Sequence, residues 1–495
     1  MSRLFYYGVP KGIRTPVTAV RWQRPGPLDD GSSTASVRST RRAGIIARLP
    51  VPPQSISCMR SLEHRVATHP RTSVIAEPIR VAREDHPISR SLISKATLNV
   101  LYGLKDGGYE GLMVGGGVRD ILAGVPPKDF DVATNATPEQ IKPLFRSCRL
   151  IGRRFKLAHV RFGREVIEVS TFRGPVSDDH ERDDTGRILS DNVYGTLEED
   201  AFRRDFTING MYYDINDFSI IDYVGGLQDI KARQVRLIGD PEQRYREDPV
   251  RMLRALRIAN KLGFTLAPET AAPIKELAPL LAEVPAARLF EEVLKILLCK
   301  DSVANLRSLR ETGLFAQLFP QTEEILQLDQ DGAYTRFIEL ALGNTAERLV
   351  NDQPVSPAFL YAALLWPAVE QRYVTLLDRE GHPPAIAMTQ AGSEVLARQI
   401  GRVAIPRRFG TPASEIWNLQ TRFDRRRGKQ PERTMAHGRF RAAYDFLQLR
   451  AEVGYADPAL AQWWTEAQVG HSPAASESPD QPAPRRRRRP RRAKA

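Results

Sequence analysis

LMVGGGVRDILAGVPPKDFDV, residues 112–132, is the stretch around which the rest of the chain is organised. Residues 112–114 are apolar and read as a strand, Gly115, Gly116 and Gly117 as a turn, and Val118 onward as a short helix. A strand that runs through glycines into a helix start is a phosphate cradle. Without side chains in the way, backbone N–H groups come close to an anion, and the helix aims its partial positive charge at the same point. Asp129 and Asp131 follow, two apart on a predicted strand, so their carboxylates share one face while Phe130 turns into the core. Two carboxylates on one face can hold Mg²⁺. The stretch therefore predicts a triphosphate site beside a metal site.

Composition sets the frame around it. At 495 residues the chain is too long for one core, and two to four domains of roughly 150 residues are expected. A formal charge of +13 and a pI near 9.7 suit a polyanionic partner, because each Lys or Arg that neutralises a phosphate releases counterions. No apolar run approaches the roughly 20 residues of a membrane span, and residues 357–369 are short and carry prolines, so no integral membrane protein is expected. Cys58, Cys148 and Cys299 are scattered and form no CxxC, which argues against a disulfide framework or a zinc site. A reducing, cytoplasmic setting follows.

Residues 1–87 are rich in Arg, Ser, Thr and Pro, lack sustained hydrophobic periodicity and read as a disordered basic extension. The acid-poor beginning has the character of a transit peptide. The string GIRTPVTAVRWQRPGPLDDG, however, resembles the product of translating through a transfer-RNA gene, which makes Met59 the first candidate for the true start. Detection of residues before Met59 in the intact mass of the endogenous protein would exclude that start. Residues 88–104 then carry a roughly helical apolar pattern that leads into the glycine strand.

Beyond the aspartates, residues 137–145 read as a short helix with Thr137 as N-cap and Pro138 at the first helical position. LAHVRFG and EVIEVSTFR read as two strands. Glu168 lies between Ile167 and Val169 and so faces away from both, which offers a third carboxylate to the aspartate pair or a solvated strand residue. Residues 175–191 are polar and read as a mobile loop. In YGTLEEDAFRRDFTINGMYYD, Thr196 and Glu199 have capping-box spacing, which explains Glu199 and leaves Glu198 and Asp200 without a structural reason. Arg203 and Arg204 suit triphosphate oxygens. Asp205 and Asn209, read as sharing a helix face at i, i+4, suit ribose and base contacts; a surface ion-pair ladder is the alternative.

After Asp240 the character becomes helical. In RYREDPVRMLRALRIANKLGF, Asp248 precedes Pro249 at a helix start, and Met252, Leu253, Leu256 and Ala259 or Ile258 form the apolar stripe. Asp248 and Arg251 can together read a Watson–Crick edge, one accepting from an exocyclic amine and the other donating to a ring nitrogen. Adenine and cytosine both offer that pattern, so the pair excludes guanine and uracil better than it separates A from C. An N-cap with a helix salt bridge would also account for it.

The motifs GGGVRD, DFD, RRDFTIN and EDPVR, in this order, resemble the class II nucleotidyltransferases, a family that comprises bacterial poly(A) polymerases and CCA-adding tRNA nucleotidyltransferases. The resemblance runs over residues 88–299. It implies an α+β chain, with a polymerase-β-like nucleotidyltransferase head at 88–238, a helical neck at 239–300 and a helical body at 301–470. It further implies that Asp129 and Asp131 bind the catalytic metals, that Asp205 and Asn209 contact nucleotide, and that Asp248 and Arg251 template the base. With it, Gly115, Gly116, Arg119 and Arg203 are expected to hold the triphosphate of ATP, with Glu168 or Glu198 as a third catalytic carboxylate.

LIGRRFKLAHV, residues 150–160, resembles the segment typical of the poly(A) polymerase branch, as do RFRAAYDFLQLRAEV and QWWTEAQ further on. Template-independent polyadenylation of RNA 3′ ends is thus the leading expectation, with CCA addition to tRNA or a catalytically silent RNA-binding protein as alternatives. Trp463 and Trp464 read as core rather than base-stacking residues, and DRRRGKQPER, residues 424–433, as a basic loop over RNA. The last segment, residues 471–495, ends in an arginine block that anchors phosphates with little sequence preference.

Overall fold

Apolar residues alternate along short strands between residues 79 and 222, and a single mixed sheet buries them. The computed structural model describes residues 77–152, 156–174 and 193–469, so most of the basic extension, the polar loop at 175–191 and the arginine tail lie outside the described residues. The strands are β1 (Ile79–Val81), β2 (Gly111–Val114), β3 (Asp131–Thr134), β4 (Cys148–Ile151), β5 (Leu157–Phe162), β6 (Glu165–Thr171), β7 (Met211–Asp214) and β8 (Ile220–Asp222). Their order is β1-β8-β7-β2-β3-β6-β5-β4. All neighbours are antiparallel except β3 and β6, which run parallel. β1 lies ahead of position 88, so the sheet takes in residues that the composition had assigned to the extension. Three residues between Pro78 and a run of charged positions carry no periodic signal of their own.

Helices α1 (Lys95–Asp106) and α3 (Pro138–Leu144) cover one face. Val100, Leu101, Leu104 and Ile141 pack there against Val132, Ala158, Val160, Ile167 and Val169. Each Val, Leu or Ile side chain among them contributes about 1.5–3 kcal/mol on burial. α1 starts later than its apolar pattern, because Ser94 caps it by accepting from the Thr97 N–H, while Ile88 and Ile93 are buried from the preceding irregular segment. The Thr137 and Gln140 side chains form the capping box of α3, and Pro143 is accommodated just before its end. On the opposite face, α4 (Leu197–Arg203) brings Ala201 against Leu112, Val114, Tyr212 and Ile221.

α2 (Gly116–Leu122) and α5 (Gly226–Ala232) complete this unit, and α6 (Pro241–Glu247) and α7 (Val250–Leu262) open the helical remainder. The apolar stripe of α7 is buried as its spacing requires, with both Ile258 and Ala259 inside. One continuous core joins α7 to the last described helix, Pro458–Ala467. Trp464 sits fully inside it, its indole N–H donating to the Phe423 carbonyl at 2.9 Å. Among the described residues, no helix is long and apolar enough to cross a membrane.

Candidate active site

The glycines bring β2, β3 and α2 into close contact. α2 begins at Gly116, earlier than the expected Val118, and Gly115 caps it with φ 73° and ψ −133°, a conformation suited to glycine. A Cβ at Gly115 would lie 3.5 Å from Asp131 Oδ2 and 3.9 Å from Arg204 Nη1; one at Gly117 would lie 2.8 Å from Phe130 Cδ1. The turn therefore presses directly on the aspartate motif. β3 begins only at Asp131, so Asp129 precedes the strand instead of lying within it, and is exposed beside the buried Phe130.

Asp131 stands in register with Glu168 on the parallel strand β6, so the two carboxylates share a face. Burial, with Glu168 and Asp129 adding to it, pushes the Asp131 carboxyl up to about 6 against the pull of Arg204 and Arg119. Negative charge here is under-compensated, and a hard cation would relieve it. Among the described residues, no three or more His, Cys, Asp or Glu side chains close into a metal cage. An open carboxylate edge is the form in which Mg²⁺ is held, by one or two carboxylates together with substrate phosphates. Of the two expected third carboxylates, Glu168 is the one brought to Asp131; Glu198, on α4, acts on Tyr223 instead.

The basic groups sort themselves by partner. Arg119 is buried, donates to Asp120 Oδ1 through Nε and Nη2, and donates to Asn209 Oδ1 through Nη1 at 2.8 Å. Lys261 of α7 holds the other Asp120 oxygen at 2.7 Å. Arg203 donates to the Gly174 carbonyl, whereas Arg204 turns toward Gly115 and Asp131. It is fixed by Asp200 Oδ2 at 2.7 Å and Tyr212 Oη at 3.0 Å. Burial raises the Asp200 carboxyl, but Arg204 and the Tyr212 hydroxyl outweigh it and hold Asp200 below its ordinary range. Arg204 and Asp200 carry the i, i+4 spacing of an ion pair, the signal by which the sequence could have singled them out.

Asp205 and Asn209 do not share one helix face. α4 stops at Arg203, and a separate 3₁₀ turn covers Thr207–Asn209, because Phe206 and Ile208 must both be fully buried. Asp205 receives Arg251 Nε and Arg254 Nη1, each at 2.8 Å. Asp248 accepts from the Val250 N–H at 3.2 Å and from Arg288 Nη2 at 2.6 Å. Arg251 also donates to the Arg244 carbonyl at 2.7 Å and to Glu247 at 3.1 Å. Asp248 and Arg251 thus sit at one helix start, where the Arg251 N–H donates to the Asp248 carbonyl at 3.0 Å, while their side chains are each held by other groups and not by one another.

Residues 112–236 match the family described as the poly A polymerase head domain. Residues 263–326 match the probable RNA and SrmB-binding site of polymerase A, and residues 380–494 the polymerase A arginine-rich C-terminus. Poly(A) polymerase I of Salmonella typhi is 49% identical over 420 residues, which cover 82% of this chain and 90% of that one. The chain belongs to the poly(A) polymerase family. The CCA-adding enzyme of Bacillus licheniformis is 39% identical over 221 residues, or 45% of this chain and 54% of that one. A tRNA nucleotidyltransferase crystallised with a primer tRNA and an incoming ATP analog has the same fold, with a TM-score of 0.51 at 23% identity over 75% of this chain and 99% of that one. The likeness of this poly(A) polymerase family chain to the CCA enzyme thus spans about half as much of it as its likeness to poly(A) polymerase I.

Proposed function

We infer that the chain is a polynucleotide adenylyltransferase that adds AMP from ATP to RNA 3′ ends without a template, releasing pyrophosphate. The observation that carries this reading is the extent of the likeness to poly(A) polymerase I, 82% of the chain against 45% for the CCA-adding enzyme. The RNA 3′-hydroxyl attacks the α-phosphorus of ATP; the new O–P bond forms as the bond to the β-phosphate breaks.

Asp129, Asp131 and Glu168 would hold Mg²⁺, which when bound supplies Lewis acidity to the hydroxyl and neutralises charge on the phosphates. The Gly115 and Gly116 backbone and the side chains of Arg119 and Arg204, the latter in place of the expected Arg203, cradle the triphosphate, so that positioning and charge neutralisation do most of the catalysis. Asp205 and Asn209 contact the nucleotide, and Asp248 and Arg251 read the amine and ring nitrogen of adenine. No covalent enzyme intermediate is needed. Both described cysteines are free thiols, as suits a cytoplasmic enzyme.

The test offers an unstructured RNA primer or a truncated tRNA, with Mg²⁺ and either ATP or CTP. Long A tracts on either RNA are expected; short extension dependent on CTP would replace this reading with CCA addition, and no extension would leave an RNA-binding protein. Asp129→Ala and Asp131→Ala are each expected to abolish addition while RNA binding persists. Full activity in either variant refutes the site.

A further inference from the structure

The strand registers extend the carboxylate line beyond Glu168. Asp131 pairs with Glu168, Glu168 with His159, and His159 with Arg149, so these four side chains form a row across β3, β6, β5 and β4 on one face. At about 4.8 Å per strand, Arg149 stands roughly 14 Å from Asp131. A second row beside it holds Arg161 opposite Val166. α1 and α3 cover the other face of these strands, where Ala158, Val160, Ile167 and Val169 are buried. On the row's own face Arg149, Arg161, Val166 and Glu168 are exposed. Neither Arg149 nor Arg161 has an ion-pair partner among the described residues. His159 Nε2 approaches Glu168 Oε1 to 3.3 Å and makes no hydrogen bond.

Reaction geometry says what meets this face. Asp131 lies between β2, which leads into the glycine cradle, and β6, which carries Glu168. With the triphosphate on the cradle side, in-line displacement brings the attacking hydroxyl from the opposite side, over β6. The strand that bears the hydroxyl then leaves across β5 and β4, where the unpaired arginines stand. We propose that the open face of β4, β5 and β6 is the landing track for the 3′-terminal strand of the RNA. Arg149 and Arg161 take backbone phosphates, and His159, its Nε2 buried against Glu168, backs the carboxylate nearer the reacting end. The track rests on the reading of the chain as an RNA 3′-adenylyltransferase.

The test uses the full chain with Arg149→Gln and Arg161→Gln together, and measures equilibrium binding of an unstructured RNA primer across a salt series, alongside the KM values for RNA and ATP. The dissociation constant and KM for RNA are expected to rise about tenfold at low salt. Loss of two phosphate contacts should make the log–log salt slope shallower by about 1.4. The KM for ATP should not move. The pair Arg149→Lys and Arg161→Lys should return RNA affinity to within about twofold of the parent. An unchanged RNA dissociation constant and salt slope in the glutamine pair would overturn the track, as would a lysine pair that melts like the parent yet binds RNA as weakly as the glutamine pair. Failure of the parent chain to extend RNA would refute the adenylyltransferase reading instead, and the binding series would still judge the track.

Discussion

Gly117 leaves no room for a methyl group against Phe130, the residue that separates the two aspartates. Gly117→Ala is expected to cost about 1–3 kcal/mol by overpacking. It should lower kcat by displacing Asp129 and Asp131, while the KM for RNA stays near that of the parent. Urea denaturation and steady-state kinetics check the two effects separately. At this scale the close backbone approach of the glycines was legible from their spacing, whereas the strand expected to carry both aspartates begins only at Asp131 and leaves Asp129 ahead of it. The choice between Arg203 and Arg204 was not legible. Arg203 is the last residue of α4 and Arg204 its extended C-cap, so their side chains leave in different directions, and the one that faces Asp131 is settled by Asp200 and by Tyr212 on β7. Asp205 misled for a related reason: the burial of Phe206 and Ile208 overrode the helical spacing.

Helix α7 faces the sheet domain with a basic stripe, Arg251, Arg254, Arg257 and Lys261, and acids from distant positions meet it. Asp205 takes Arg251 and Arg254, Asp120 takes Lys261, and Glu292 takes Arg254, with Arg257 at 3.7 Å. Glu292 is only 3% exposed. Removing one partner of such a buried set strands the others, so Glu292→Gln should destabilise the protein by about 3 kcal/mol in urea titrations. Burial raises Asp205 and Glu292, but the facing arginines outweigh it and hold both below their ordinary values. Their contribution is therefore full above the unfolded values near about 4 and is lost as pH falls through the lower folded ones. Thermal melts from neutral pH down to about 3 should show this loss, reduced in Glu292→Gln. The stripe could be read from its spacing, whereas its partners, such as Glu292, lie 38 positions from Arg254 and emerge only from the packing.

For the whole molecule, the +13 charge and the terminal arginine block predict salt-dependent hold on RNA. Cutting the chain after Pro484 should raise the RNA dissociation constant at low salt and leave turnover on saturating primer in place; a collapse of that turnover would assign the block a structural duty. The order of motifs anticipated the mixed α/β head followed by helices because each motif marks a strand end or a helix start. β1 escaped notice because a short edge strand has little pattern to show. The parallel pairing of β3 with β6 has a kinetic consequence. Asp131 and Glu168 meet only after the chain has traversed α3, β4 and β5 and returned alongside, a non-local closure whose entropy is lost before the contacts repay it. On dilution from denaturant, helical signal should thus recover first, and the capacity to join nucleotides should return as a separate, slower event.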